Sequence, residues 1–140
     1  MPIKHQAKIS FVLLSTLMIA LLIPLGIYLV NFDLSEWNFL MIGIWLLFLF
    51  FILHMFLGTS YTITKDKLYI KSGFIKYPTI AIASIKSIEE TKSIYSSPAP
   101  SFDRIRINYE KYSEVIVSPR DKAQFIKDLQ KINPTITYNK

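Results

Sequence analysis

The stretch 9-ISFVLLSTLMIALLIPLGIYLV-30 is followed, after the loop 31-NFDLSEWN-38, by 39-FLMIGIWLLFLFFILHMFL-57. Neither run contains Asp, Glu, Lys or Arg. A helix needs about 20 apolar residues to cross about 30 Å of hydrocarbon, where it must satisfy its own backbone hydrogen bonds. Each run has roughly that length, and so short a loop between them returns the second helix antiparallel to the first. The stretch therefore reads as a transmembrane hairpin. Residues 1–8 form a basic arm, 9–30 and 39–57 the spans, 31–38 an outer loop, and 58–140 a soluble domain.

Charge beside the spans sets the orientation, because Lys and Arg are retained on the cytoplasmic side. Lys4 and Lys8 precede the first span, Asp33 and Glu36 lie in the loop, and Lys65, Lys67 and Lys71 follow the second span. Both termini are therefore expected to be cytoplasmic. Tyr28 and Trp37 flank the loop, where amphipathic rings favour the headgroup region. A cleaved signal peptide is the rival reading of the first run. It is disfavoured by the length of the run, the lack of a small-x-small cleavage site and the second span that follows at once.

Three residues inside the spans invite over-reading. Pro24, followed by Gly26, removes a backbone hydrogen bond and is expected to kink the first helix. His54 is the only ionisable side chain in either run, and it lies one turn from Gly58 with no second ionisable group to form a relay. A place at the cytoplasmic interface explains it better than a functional role. Trp45, mid-span, is read as packing against the partner helix or lipid.

The net charge of +6 is carried by the soluble part, where fourteen Lys and Arg face eight Asp and Glu, while arm and loop cancel. A basic domain beside a membrane has anionic lipid as one partner, each nearby Lys or Arg contributing roughly 1 kcal/mol over a Debye length of about 8 Å. The aromatic residues are scattered through apolar alternation and build no stacking platform, so nucleic acid is not an expected partner. The absence of cysteine removes disulfides, thiolate metal sites and thiol nucleophiles.

Beyond Gly58 and Thr59 the pattern has period two. Tyr61–Thr64 reads as a strand, TKDK as a turn and LYIKS as the returning strand. FIKYPTI, residues 84–91, the alternating run 104-RIRINY-109 and EVIV extend the series of antiparallel hairpins. Ser118 is the expected N-cap of a closing helix with Pro119 at its first position and Asp121 in its first turn. Ala123, Phe125, Ile126 and Leu129 form its apolar stripe, Lys127, Asp128, Gln130 and Lys131 its outer face, and Pro134 its end. The fold class is α+β: a two-helix transmembrane hairpin, then a small bent sheet or partial barrel plugged by one C-terminal helix.

The segments 61-YTITKDKLYIKSGF-74, 84-SIKSIEETKS-93, 96-SSPAPSFDRIRINY-109 and 117-VSPRDKAQFIKDL-129 resemble the short bacterial pleckstrin-homology-like (PH-like) domains of the YyaB-like group. The resemblance spans roughly Tyr61 to Leu129. Its most specific part is the loop carrying Ser97, Pro98, Ala99, Ser101, Asp103 and Arg104, followed by Ser118, Pro119 and Phe125. It implies a PH-like split β-barrel with a C-terminal helix, often tethered to a membrane, and it supplies no catalytic residues.

Lys65, Lys67, Lys71 and Lys76 cluster around the first hairpin, and Arg104 and Arg106 share a second strand face. Together they make a candidate lipid-facing basic patch, although Lys on an outward strand face also blunts a sheet edge. Asp103 and Arg104, adjacent on a strand, point to opposite faces. Asp103 is expected to be buried and to accept hydrogen bonds from the turn 96–101, with a ligand or partner site on that loop as the other reading.

Catalysis is excluded by elimination. His5 falls in an arm expected to be flexible and His54 in the membrane. The soluble part has no His, Cys, Gly-rich phosphate loop or HExxH, and Glu89 and Glu90 alternate across a strand. No cofactor or metal is expected. The reading is a non-enzymatic module at the membrane that binds a protein partner or self-associates as a scaffold. Sensing of anionic lipid or envelope state is the alternative, with immunity against a membrane-active peptide as a narrower one resting on analogy.

Overall fold

In the computed structural model the described residues are 2–31, 35–93 and 99–139. Two helices occupy the apolar stretch, α1 (Phe11–Val30) and α2 (Glu36–Leu57). Ser10 and Ser35 cap them, each hydroxyl accepting a backbone N–H three residues on. α1 runs through Pro24 without interruption. The helices touch through Trp45, whose indole N–H donates to the Leu21 carbonyl at 3.2 Å, and through Tyr28, whose hydroxyl bonds the Asn38 side chain. Both helices are long and apolar enough to cross a membrane, and large side chains such as Ile23, Leu47 and Phe50 stand exposed along them.

The remaining elements form two sheets. The first contains β1 (Ile3–Gln6), β2 (Ser60–Ile63), β3 (Lys67–Ser72) and β4 (Ile75–Lys76) in antiparallel order, and β5 (Ile80–Ala81) also pairs with β3. A 3-10 turn at Ile82–Ser84 leads into the second sheet, made of β6 (Ile85–Thr91), β7 (Arg104–Tyr109) and β8 (Ser113–Val117). Then come α3 (Lys122–Ile132) and β9 (Thr137–Asn139), the latter parallel to β6 at the sheet edge.

β1 corrects the expectation of a flexible arm outside the domain. Ile3, Lys4, His5 and Gln6 pair with Ile63, Thr62, Tyr61 and Ser60. The helical hairpin brings the start of α1 back beside the end of α2, and β2 would otherwise expose an unpaired backbone edge there. β1 also joins the two sheets. Ala7 bridges Pro119, the Lys8 N–H donates to the Ser118 carbonyl at 2.7 Å, and the Arg120 N–H donates to the Gln6 carbonyl at 2.9 Å.

That bridge displaces the helix start. Ser118 and Pro119, the expected cap and first residue, are held in extended pairing with the N-terminal segment, and Asp121 is the N-cap instead, its carboxylate accepting the Gln124 N–H at 2.9 Å. The apolar stripe is Phe125, Ile126 and Leu129; Ala123 is exposed, and Asp128, expected on the outer face, is buried. FIKYPTI forms only the two-residue strands β4 and β5, with Pro78, which has no N–H to offer a ladder, between them. β9 has no counterpart in the strands read from the sequence.

The core lies between the sheets under α3. Tyr61, Ile63, Leu68 and Ile70 from the first sheet meet Ile85, Ile88, Ile105, Ile107 and Val117 from the second, with Phe125 and Leu129 across the opening. Each fully buried side chain of this size contributes about 1.5–3 kcal/mol of transfer free energy. Phe125 takes an edge-on contact with Tyr61 at 5.9 Å and with His5 at 5.2 Å.

Candidate functional site

Both helices enter the soluble unit without a free linker. At the end of α2, the Gly73 N–H donates to the Gly58 carbonyl at 3.2 Å, and the Thr59 and Ser72 hydroxyls bond at 2.9 Å and both reach the Met55 carbonyl. The His54 ring stacks on Phe74 at 3.9 Å. The β3–β4 turn is thus docked on the last turn of α2. At the start of α1, the Ser10 N–H donates to the Pro100 carbonyl at 3.0 Å, and the Lys8 ammonium meets the Asp103 carboxylate at 2.7 Å. The far end of the domain collects the Thr64–Lys67 turn, the 3-10 turn and the Glu110–Ser113 turn, tied by Ile82 N–H to Asp66 carbonyl at 2.9 Å and Glu110 N–H to Ser84 carbonyl at 3.0 Å.

The expected basic patch is divided by this geometry. Lys71 and Lys76 are directly opposed in the ladder and exposed, one residue from the turn that touches α2. Lys67 shares their face but lies four positions back along β3, about 13 Å at the usual strand rise. Lys65 is farther still, in the distal turn. Lys4, opposite Thr62 and in the row of Tyr69, joins the same outer face from β1.

The two arginines do not complete the patch. Arg104 is 7% exposed, its guanidinium donating to the carbonyls of Ser101 and, at 2.8 Å, Ser93. Burial pulls its pKa below the usual arginine value, opposed by the neighbouring Tyr61. It ties the start of β7 to the preceding loop and offers no charge to a surface. Arg106 is half-buried and faces the Glu114 carboxylate at 3.3 Å.

Of the family-like loop, Ser97 and Pro98 lie outside the described residues. Ala99, Pro100 and Ser101 are buried, and the Ser101 hydroxyl accepts the Asp103 N–H at 3.2 Å. Asp103 itself is not buried, which corrects the expectation for its carboxylate. It lies between Lys8 from the N-terminal segment and Lys122 from α3. Its partial burial favours the neutral acid, but hydrogen bonds from Lys122 and Lys8 and their charges outweigh that and hold its pKa below the ordinary carboxylate value. The Lys8–Asp103–Lys122 group thus ties the segment entering α1, the loop before β7 and the first turn of α3.

A second polar cluster was not among the residues singled out in the sequence. Asp128, 4% exposed, receives His5 Nε2 at 3.2 Å and Gln124 Nε2 at 2.9 Å, with the Lys131 ammonium at 3.6 Å. A buried carboxylate costs several kcal/mol unless paired, and His5 on β1 supplies the partner from outside α3. Glu89 bonds Asn108 at 3.1 Å while Glu90 accepts the Tyr138 hydroxyl at 2.8 Å, so the adjacent acids serve different partners. Among the described residues no group of three or more His, Cys, Asp and Glu is placed to hold a metal.

Two sheets closed by a C-terminal helix define a PH-like module carried on two apolar helices. The chain belongs to the bacterial PH domain family: the family model matches residues 59–133. β1 and β9 fall outside the matched span and add one strand to each sheet of the family unit. PH domains are generally non-catalytic modules. No curated protein and no solved structure matches the chain.

Proposed function

We propose that the protein is a membrane-anchored, non-enzymatic PH module that presents a protein-interaction surface beside the cytoplasmic face of the bilayer. The observation that carries this reading is the placement of the Thr64–Lys67 turn at the end of the domain opposite the helices. Lys65 and Lys67 lie at that far turn, away from the helix ends, alongside Tyr112, which is 88% exposed at the neighbouring turn. A large aromatic side chain beside Lys111, with its ammonium 5.4 Å from the ring, and a Lys65–Lys67 turn suit a partner of acidic and aromatic character.

The test is in-cell photocrosslinking of the full chain with the reactive group at Lys65, Tyr112 or, as the membrane-proximal comparison, Ile75. A discrete adduct from Lys65 and Tyr112 is expected, formed with undiminished yield when isolated membranes are irradiated in high salt. Adducts at none of the distal positions, or adducts whose yield collapses when high salt is present during irradiation, overturn the scaffold reading in favour of an electrostatic surface.

A further inference from the structure

The β3–β4 turn presents its apolar residues at the place where α2 ends. Phe74 is 64% exposed and Ile75 46%. Phe74 is nevertheless fixed, because one face of its ring stacks on His54, a residue within α2. Its depth is therefore that of the last helical turn. Ile75 pairs with Ser72 in the ladder and so shares the sheet face that carries the Ser72 hydroxyl toward the Met55 carbonyl. Leu57, three residues beyond His54 at the helix end and so near the same helix face, is also exposed. Lys71 and Lys76 follow immediately on either strand.

An apolar tip flanked by lysines and continuous with an apolar helix has the chemistry of the bilayer interface, where rings and branched chains enter the acyl boundary and ammonium groups remain among phosphates. We propose that the β3–β4 turn is a lipid-inserting wedge. Phe74 and Ile75 occupy the acyl–headgroup boundary beside α2, and Lys71 and Lys76 lie at the level of the headgroups. This contact is separate from the distal surface assigned to protein partners, and it rests on α2 crossing a membrane. Its role is to fix the tilt of the soluble unit on the bilayer.

Because the chain has no cysteine, single introduced cysteines report one position each. Full-length Phe74→Cys, Ile75→Cys, Lys65→Cys and Leu47→Cys proteins, labelled with a nitroxide, are reconstituted in vesicles of phosphatidylcholine and phosphatidylglycerol. Collision rates are read with oxygen, which partitions into the bilayer, and with a water-soluble nickel chelate. The expected result is an oxygen-to-nickel ratio at 74 and 75 several-fold above that at 65 and approaching that at 47. Ile75→Cys preserves the stacking of Phe74 on His54, so it reports even where Phe74→Cys loosens the turn.

Ratios at 74 and 75 equal to that at 65, with 47 in lipid, overturn the wedge alone. A water-exposed label at 47 overturns both the wedge and the anchoring it rests on. Exclusion of both reagents from 74 and 75 means that protein, such as a second copy, covers the turn, and it also overturns the proposal.

Discussion

Gly58 and Gly73 meet backbone to backbone at the junction of helix and sheet. A Cβ built on Gly58 would lie 2.8 Å from the Gly73 Cα, and one on Gly73 would lie 2.7 Å from the Met55 sulfur and 3.0 Å from the Met55 Cα. Gly73 also has a φ of +56°, a left-handed conformation that costs an L-residue about 1–2 kcal/mol. Gly73→Ala is therefore expected to destabilise the full-length protein by at least that amount and to release the β3–β4 turn from α2. Thermal unfolding in detergent measures the loss. Gly26→Ala, inside α1 with nothing within 4 Å of the added carbon, should not destabilise and should add up to about 1 kcal/mol of helix propensity.

The pairing of β1 with β2 predicts that a soluble fragment beginning at Ser60 is a crippled version of the domain. It lacks the strand that covers β2 and the imidazole that partners Asp128. Joining residues 2–8 to Thr59 through a short flexible linker in place of the helices should restore a cooperative unfolding transition. Equal stability of the two fragments would show that β1 is dispensable.

His5 and Asp128 should behave as one energetic unit. His5→Ala leaves a buried carboxylate short of a donor and is expected to cost about 1–3 kcal/mol. In the double-mutant cycle with Asp128→Ala the losses should be strongly sub-additive, with a coupling of about 0.5–3 kcal/mol. Additive losses would mean that His5 matters only through its packing on Phe125.

Asp103 sets an acid limit. Its folded-state pKa is depressed below the unfolded value of about 3.9, so its contribution is complete above that value and is lost as pH falls through the lower folded one. The carboxylate is partly exposed, and solvent screening keeps the contribution modest. Unfolding temperatures recorded from pH 6 to pH 3 should fall less steeply for Asp103→Asn than for the parent protein.

Tyr61 makes the corresponding claim at high pH. Burial raises its phenol from 10.0 to about 12, against the lowering effect of the Ser118 N–H that donates to it at 3.0 Å. Its contribution is therefore present below pH 10 and declines as pH rises toward about 12. Tyr61→Phe should remove this alkaline component. It should also cost about 1–3 kcal/mol at neutral pH by orphaning the buried Ser118 N–H.

The turn between β7 and β8 offers a gain. Glu110 sits at φ 54°, and its carboxylate accepts a long 3.4 Å hydrogen bond from the Ser113 hydroxyl. Glu110→Gly relieves the left-handed strain and should raise stability by roughly 1 kcal/mol. A lower unfolding temperature would show that the side chain matters more than the backbone here.

The helices were legible because an uncharged run of that length has few alternatives, and strands such as β2 and β3 because one face of each alternates into a single core. The lipid patch was misread at Arg104 for a reason that alternation cannot reveal. The loop before β7 folds back over the first position of the strand and turns an outward-facing residue into a buried one. Asp128 was placed on the outer face because helical periodicity describes α3 alone, whereas β1 covers that flank. β1 itself was hidden by distance. Its four residues pair with β2 across both helices, and nothing local in IKHQ indicates a partner so far along the chain.

The pairing of β1 with β2 also imposes an order on biogenesis. The first strand leaves the ribosome before either apolar helix, and its partner only after both. Closure of the sheet must wait until both helices are made and the hairpin has brought its two ends together. A chain whose first helix failed to pair with the second would lose the geometry that delivers β1 beside β2, leaving β2 with an open edge and Asp128 without its histidine. Completion of the sheet thereby reports that the two helices have come together as a hairpin.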